Sequence, residues 1–167
     1  MGTEGVGKDA LMLLAKAMGF ALLFGLLFAF VYGLHRCADP KMAPGIKDGD
    51  LVVFYRFSKK AYMPRELVVA KAGGKKEVRR IVAVGGDVVD ITERGLVING
   101  AAQHEAGIYK PTLRYQDGAD FPMTVPHGEV FLLADSRDNA EDSRVYGTVK
   151  LEDLAGKVML VIRRREF

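Results

Sequence analysis

The sequence predicts a mainly β protein: an antiparallel β-rich domain hung from one N-terminal transmembrane helix. Three observations carry that expectation. An apolar run near the N-terminus is long enough to cross a bilayer. From residue 50 onward, short apolar runs alternate with turn signals. No amphipathic helix is evident in the soluble part. The chain has 167 residues, 49% apolar and 27% charged, which suits one folded domain with a short appendage.

The helix comes first. Ala17 to Leu34 is an unbroken run of apolar or small residues, and Ala10 to Ala15 extends it, interrupted only by Lys16. Ala10 to Leu34 reaches roughly 37 Å as a helix, against about 30 Å of hydrocarbon. Lys16 can snorkel to the interface, and Tyr32 stands where an interfacial aromatic belongs. A cleaved secretory signal is the alternative. The run is long for one, and Leu34-His35-Arg36-Cys37 lacks the small-x-small pattern of a cleavage point. The expected division is a tail over 1–9, a membrane anchor over 10–36 and a β domain over 37–167. Lys8 and Lys16 on one flank balance Arg36, Lys41 and Lys47 on the other, so charge leaves the orientation open.

The strands follow. Leu51 to Tyr55, Leu67 to Ala70, Val78 to Val84, Asp87 to Thr92, Leu96 to Ile98, Glu129 to Leu133 and Lys157 to Ile162 are short apolar segments bounded by turn residues. Glu93-Arg94-Gly95 and Asn99-Gly100 read as tight turns. Leu151 to Leu154 reads as one helical turn. Residues 101–128, with Pro111, Pro122 and Pro126, read as an irregular excursion from the sheet. Regular punctuation of this kind favours a folded or closed antiparallel architecture.

Composition excludes several functions. A net charge of +3 argues against a nucleic-acid binder. Lys75-Lys76, Arg79-Arg80 and Arg163-Arg164-Arg165 read as solvated strand ends and a charged C-terminus. The single cysteine, Cys37, allows no internal disulfide and reads as an inert interfacial thiol open to acylation. His35, His104 and His127 lack metal-ligand spacing, so no metal and no cofactor is expected.

Three segments after the anchor carry a resemblance. The first is Lys41-Met42-Ala43-Pro44-Gly45-Ile46, followed by Asp48-Gly49-Asp50-Leu51-Val52. The second is Arg79-Arg80-Ile81-Val82-Ala83-Val84-Gly85-Gly86-Asp87. The third is Ala134-Asp135-Ser136-Arg137-Asp138-Asn139-Ala140-Glu141-Asp142-Ser143-Arg144. In this order the chain resembles the type I signal peptidase family (peptidase S26-like), whose boxes read approximately Ser-Met-x-Pro-Thr-Leu, Lys-Arg-Val-Ile-Gly-Leu-Pro-Gly-Asp and Gly-Asp-Asn-Arg-x-x-Ser-x-Asp-Ser-Arg. The resemblance implies a signal-peptidase-like β fold on the extracytoplasmic side of the cell membrane, with an apolar rim near the lipid. It also implies a structural pair, Asp142 and Arg144, a retained turn at Gly86-Asp87, and a cleft shaped by Asp39, Lys41, Met42, Pro44 and Arg79.

The reactive atoms differ. The family's chemistry uses a serine activated by a neutral lysine, which a second serine orients. The resemblance puts Lys41 at the nucleophile position, Arg79 at the general-base position and Ala140 at the orienting position. An amide formed on Lys41 would not release, guanidinium has no lone pair to offer, and alanine has no hydroxyl. Only Ser58, Ser136 and Ser143 remain as serines. Ser58, followed by Lys59-Lys60, reads as an exposed strand end, and the other two read as structural. The expected function is therefore non-catalytic. The chain would bind secreted clients and, like signal-peptidase-like proteins of Gram-positive pilus assembly, would work with pilins or other secreted preproteins, a sortase being a further candidate partner. Lys41 and Arg79 would attract an acidic segment, its own or a client's. The competing expectation is an active signal peptidase with an unusual or engineered site.

Overall fold

The computed structural model describes residues 3–58, 62–72, 74–138 and 140–164. Lys59, Lys60, Asn139 and Arg165, named above, lie outside the described residues.

Helix α1 (Thr3–Val31) carries leucine and phenylalanine on every side. Its segment Gly7–Val31 is long and apolar enough to cross a membrane, and no protein covers it. A helix apolar all round and uncovered by protein suits lipid. The helix stops at Val31, short of the end of the apolar run at Leu34. Tyr32–Arg36 instead forms strand β1, paired antiparallel with β2 (Leu51–Tyr55) from Tyr32↔Tyr55 to Arg36↔Leu51. The helical part of the expected 10–36 anchor is thus shorter than the apolar run. Sheet pairing overrides the run because strand hydrogen bonds satisfy the backbone there. Gly33 permits this, since a Cβ on it would lie 2.2 Å from the Phe54 ring. Tyr32 stacks on Phe28 at 4.7 Å and packs on Tyr55 at 5.8 Å, so the helix joins the domain through aromatics.

The main sheet is seven-stranded, in the order β1-β2-β11-β3-β4-β9-β10. Its other members are β3 (Leu67–Ala72), β4 (Lys75–Val84), β9 (Glu129–Leu133), β10 (Val149–Lys150) and β11 (Leu154–Ile162). A second sheet, β7-β6-β5-β8, uses β5 (Val88–Thr92), β6 (Gly95–Ile98), β7 (Ala101–Ala102) and β8 (Met123–Thr124). Every pairing is antiparallel. The fold is therefore the antiparallel β-rich one expected. Asn99 and Gly100 both have positive φ, 51° and 79°, and join β6 to β7 as the Asn-Gly signal predicts. Leu151–Asp153 is a single 3₁₀ turn, as expected.

Residues 101–128 are less detached than their composition implies. Both β7 and β8 lie in the second sheet, and side chains of the last box clamp the segment between them. Arg137 donates to Thr112 Oγ1 at 3.1 Å and to Glu105 Oε1 at 2.6 Å. The Tyr115 hydroxyl accepts from Ala140 N at 3.0 Å. Burial pushes the Arg137 guanidinium pKa down, against the pull of Glu105.

Two apolar clusters fill the interior around β4 and β9. One holds Val89, Ile91, Phe131 and Leu133; the other holds Val68, Ile81, Leu132 and Leu154. A third, with Cys37, Met42, Val52, Phe54, Val78 and Ala140, underlies the region where the first and last boxes meet. That third cluster supports the candidate site.

Candidate functional site

A cleft of about 500 Å³ opens between the end of β1 and the start of β4. These strands stand four places apart in the sheet order, and the strands between them curl so that both reach one concavity. Three stretches line it: His35 to Asp39 with Lys41 and Met42, then Lys75 to Arg79, then Glu141.

Asp39 organises the first stretch. It precedes a 3₁₀ turn, Pro40–Met42, and its Oδ1 accepts from Lys41 N at 2.9 Å as an N-cap. Proline opens the turn, where its fixed φ and missing N–H cost nothing. Lys41 is half-buried and Met42 fully buried. Ser136 N donates to Lys41 O at 2.7 Å and Asp135 N lies 3.4 Å from Met42 Sδ, so the first and last boxes are tied through backbone. Pro44 departs from expectation: it is exposed and does not line the cleft, because the chain turns away after Ala43 to bury Ile46.

With Lys41, Arg79 was expected to attract an acidic segment, the chain's own or a client's, and the carboxylates it meets are the chain's own. Arg79 is 1% exposed; its two Nη atoms bond acceptors of the chain itself, while its Nε has no partner among the described residues. Its Nη2 donates to Glu77 Oε2 at 2.5 Å, Glu141 O at 3.0 Å and Asp39 Oδ2 at 3.3 Å, and its Nη1 donates to Val78 O at 2.8 Å. A guanidinium buried alone would cost several kcal/mol, so the carboxylates and carbonyls around it are a requirement of the fold. Glu77 was missed from sequence. Its signal was the two-residue strand period, which puts Glu77 and Arg79 on one face of β4. The Tyr146 hydroxyl is buried near this charge. Burial pushes its pKa up, with the Arg79 guanidinium opposing.

Ala140 is buried in the third apolar cluster. No serine or threonine lines the cleft among the described residues. Ser143 is buried, its Oγ accepting from Leu132 N at 2.9 Å; Ser136 and Ser58 lie off the cleft. Cys37, the one thiol lining the cleft, is 5% exposed and packs in the third apolar cluster. Burial first, then Asp50, Asp39 and Asp48, pushes its pKa up to about 11 from an ordinary 9.0. The thiolate is therefore scarce at neutral pH. Iodoacetamide at pH 8 should leave Cys37 of the folded chain unmodified for hours and alkylate it within minutes once guanidinium is added. Equal rates would contradict the burial. The sign for stability follows. The unfolded thiol ionises first as pH rises from about 9 toward 11, so this group favours unfolding through that window.

The remaining expected residues lie outside the cleft. Asp142 and Arg144 form a fully buried pair: Asp142 Oδ1 accepts from Arg144 Nε at 2.9 Å and Oδ2 from Nη2 at 2.8 Å. Asp142 also caps α2 (Ser143–Tyr146) through Arg144 N and accepts from Ala134 N. Gly86, at φ +97°, turns β4 into β5, and Asp87 Oδ2 accepts from Val84 N at 2.9 Å. Gly85 stands where the resembling family has proline. A Cβ on it would meet His127 Cα and Pro126 O at 2.9 Å, so close backbone approach needs glycine. Sequence also missed Arg80, which grips Asp135 with two parallel bonds at 2.7 and 2.6 Å.

The cleft thus holds an ion-paired Arg79 and the amine of Lys41, with Ala140 packed in the apolar cluster beneath it.

Comparison with known proteins bears on which family builds such a site. The family model described as signal peptidase, peptidase S26, matches residues 11–163. Signal peptidase IB of Staphylococcus aureus is 26% identical over 164 residues, covering 87% of this chain and 85% of that protein. Thylakoidal processing peptidase 1 of Arabidopsis thaliana is 34% identical over 80 residues, 48% of this chain and 22% of that protein. The Arabidopsis thaliana protein named probable thylakoidal processing peptidase 2 is 29% identical over 161 residues, 86% of this chain and 41% of that protein. The chain spans less than half the length of either Arabidopsis protein. A crystal structure of a signal peptidase I from Enterococcus faecalis has TM-score 0.50 and 23% identity, over 60% of this chain and 98% of that one. At that identity the likeness concerns the fold.

Proposed function

The chain belongs to the signal peptidase family, peptidase S26, and from that premise we propose that it is a non-catalytic member that holds secreted clients at the membrane. The observation that carries the reading is the state of Arg79. A general base must be neutral when it acts. Arg79 is a guanidinium, with no lone pair to accept a proton, and it is ion-paired to Asp39 and Glu77. The apolar packing of Ala140 and the lack of a hydroxyl among the described cleft residues point the same way.

The holding role draws on the open strand edge at the cleft. β9 pairs with β4 only from Arg80 onward, so the backbone of residues 75–79 is paired on the β3 side alone. Extended peptides add to such edges. In this reading α1 anchors the chain in the cell membrane and the β domain stands on the extracytoplasmic side. The resemblance to signal-peptidase-like proteins of Gram-positive pilus assembly makes pilins the first clients to try and a sortase the first partner.

The names carried by the relatives favour a second reading, an active signal peptidase. Its nucleophile would be Lys41, and each turnover would end in an amide with no route to release. One experiment addresses the holding role. The detergent-solubilised full chain is immobilised and mixed with a pilin preprotein. Intact preprotein should be retained and elute with the chain. Preprotein that passes through unretained would contradict the reading.

A further inference from the structure

The cations around the cleft are of two kinds. Arg79 is spent on Asp39 and Glu77. Arg36, Lys41, Lys75 and Lys76 are different: none has a carboxylate within ion-pair distance among the described residues. All four line the same concavity. Unpaired surface lysines are common, and their usual tendency is to spread. Here they line one cleft from the end of β1, the 3₁₀ turn and the start of β4, the Lys76 ammonium lying 5.6 Å from the centre of the Phe54 ring. Of the three carboxylates in the cleft, Asp39 and Glu77 face inward to Arg79, which leaves Glu141 alone at the rim. The imidazole of His35 is pushed below its ordinary pKa by burial and by Lys76, so it adds no charge at neutral pH.

Lys75 and Lys76 also begin the unpaired stretch of β4. Further along that edge, the Val78 carbonyl is taken by Arg79 Nη1. A chain laid on the open edge therefore meets the lysines first and finds the inner end closed.

We propose that the cleft takes an extended acidic peptide segment. Its carboxylates pair with Lys41, Lys75 and Lys76, and its backbone runs along the open edge of β4. This rests on the reading of the cleft as a client-holding site and gives the client's chemistry. It keeps Lys41, one of the two cations that sequence reasoning named, and puts Lys75 and Lys76 in the place of Arg79. Lysine suits the task, since a flexible stem carrying a point charge tolerates carboxylates at varied spacing.

The test uses the full chain in zwitterionic detergent and two fluorescent nonapeptides of valine and alanine. One carries glutamate at alternate positions and the other carries glutamine there. Anisotropy at low salt should show the glutamate peptide binding at least about ten-fold tighter, as expected for several exposed ion pairs acting together. About 0.5 M salt should erase most of the difference. The triple variant Lys41→Gln, Lys75→Gln, Lys76→Gln should bind both peptides alike. Its circular dichroism should be unchanged, because Lys75 and Lys76 are exposed and Lys41 is only half-buried. Equal affinities for the two peptides would overturn the proposal, as would a triple variant that keeps the preference. Equal binding, with preprotein still retained in the capture experiment, removes the acid preference and leaves the holding role standing. A clear preference in a chain that retains no preprotein supports the proposal and removes the reading beneath it.

Discussion

Replacing Asp142 with alanine should lower the unfolding free energy by about 3–5 kcal/mol, the usual result of breaking a buried ion pair from one side. Asp142 is 0% exposed and Arg144 1%. The carboxylate accepts from Arg144 N, Nε and Nη2 and from Ala134 N. Its removal leaves a buried guanidinium with one long bond, to Leu113 O at 3.3 Å, and a π-face contact with Tyr115 at 4.7 Å. It also removes the cap of α2. Arg144→Met should cost a similar amount. The double variant should cost clearly less than the two single losses added together, because each single change orphans the other partner. Denaturation of the solubilised chain followed by tyrosine fluorescence measures all three. Single losses below about 1 kcal/mol would contradict a structural role for the pair.

The second large effect concerns activity. Installing the family's groups by Lys41→Ser, Arg79→Lys and Ala140→Ser should leave the chain inactive. The reason lies outside those three positions. A lysine at 79 would inherit Asp39 and Glu77, two carboxylates that favour its charged form, whereas a general base must be neutral. Adding Asp39→Asn and Glu77→Gln removes that bias. The five-residue variant should process a preprotein at a rate at least about a hundred-fold above the three-residue variant, the scale at which a competent general base contributes. Equal rates would show that Asp39 and Glu77 do not hold the substituted lysine in its charged form.

The limits of sequence reasoning are visible at particular residues. The seven expected strands are present because short apolar runs between turn signals carry the two-residue period in their own composition. Strand β1 was hidden because Tyr32 to Leu34 continue the apolar run of the helix. Only the in-register pairing with β2 separates them. At the site, Lys41, Met42, Arg79 and Asp39 were legible by position and do line one cleft. The neutralisation of Arg79 was not legible, since Asp39 lies 40 residues away and bonds it only after the sheet curls. The burial of Cys37 was hidden for a similar reason. It follows the apolar segment in sequence, but backbone bonds to Gly49 and Asp50 draw it into the core.

The central claim is that the natural chain does not cut. The most direct measurement incubates the purified chain in detergent with a secreted preprotein and follows preprotein length by electrophoresis, with the five-residue variant in parallel. Preprotein of unchanged length with the natural chain is the result expected. A shortened product that forms with the natural chain and disappears on Lys41→Ala would contradict it.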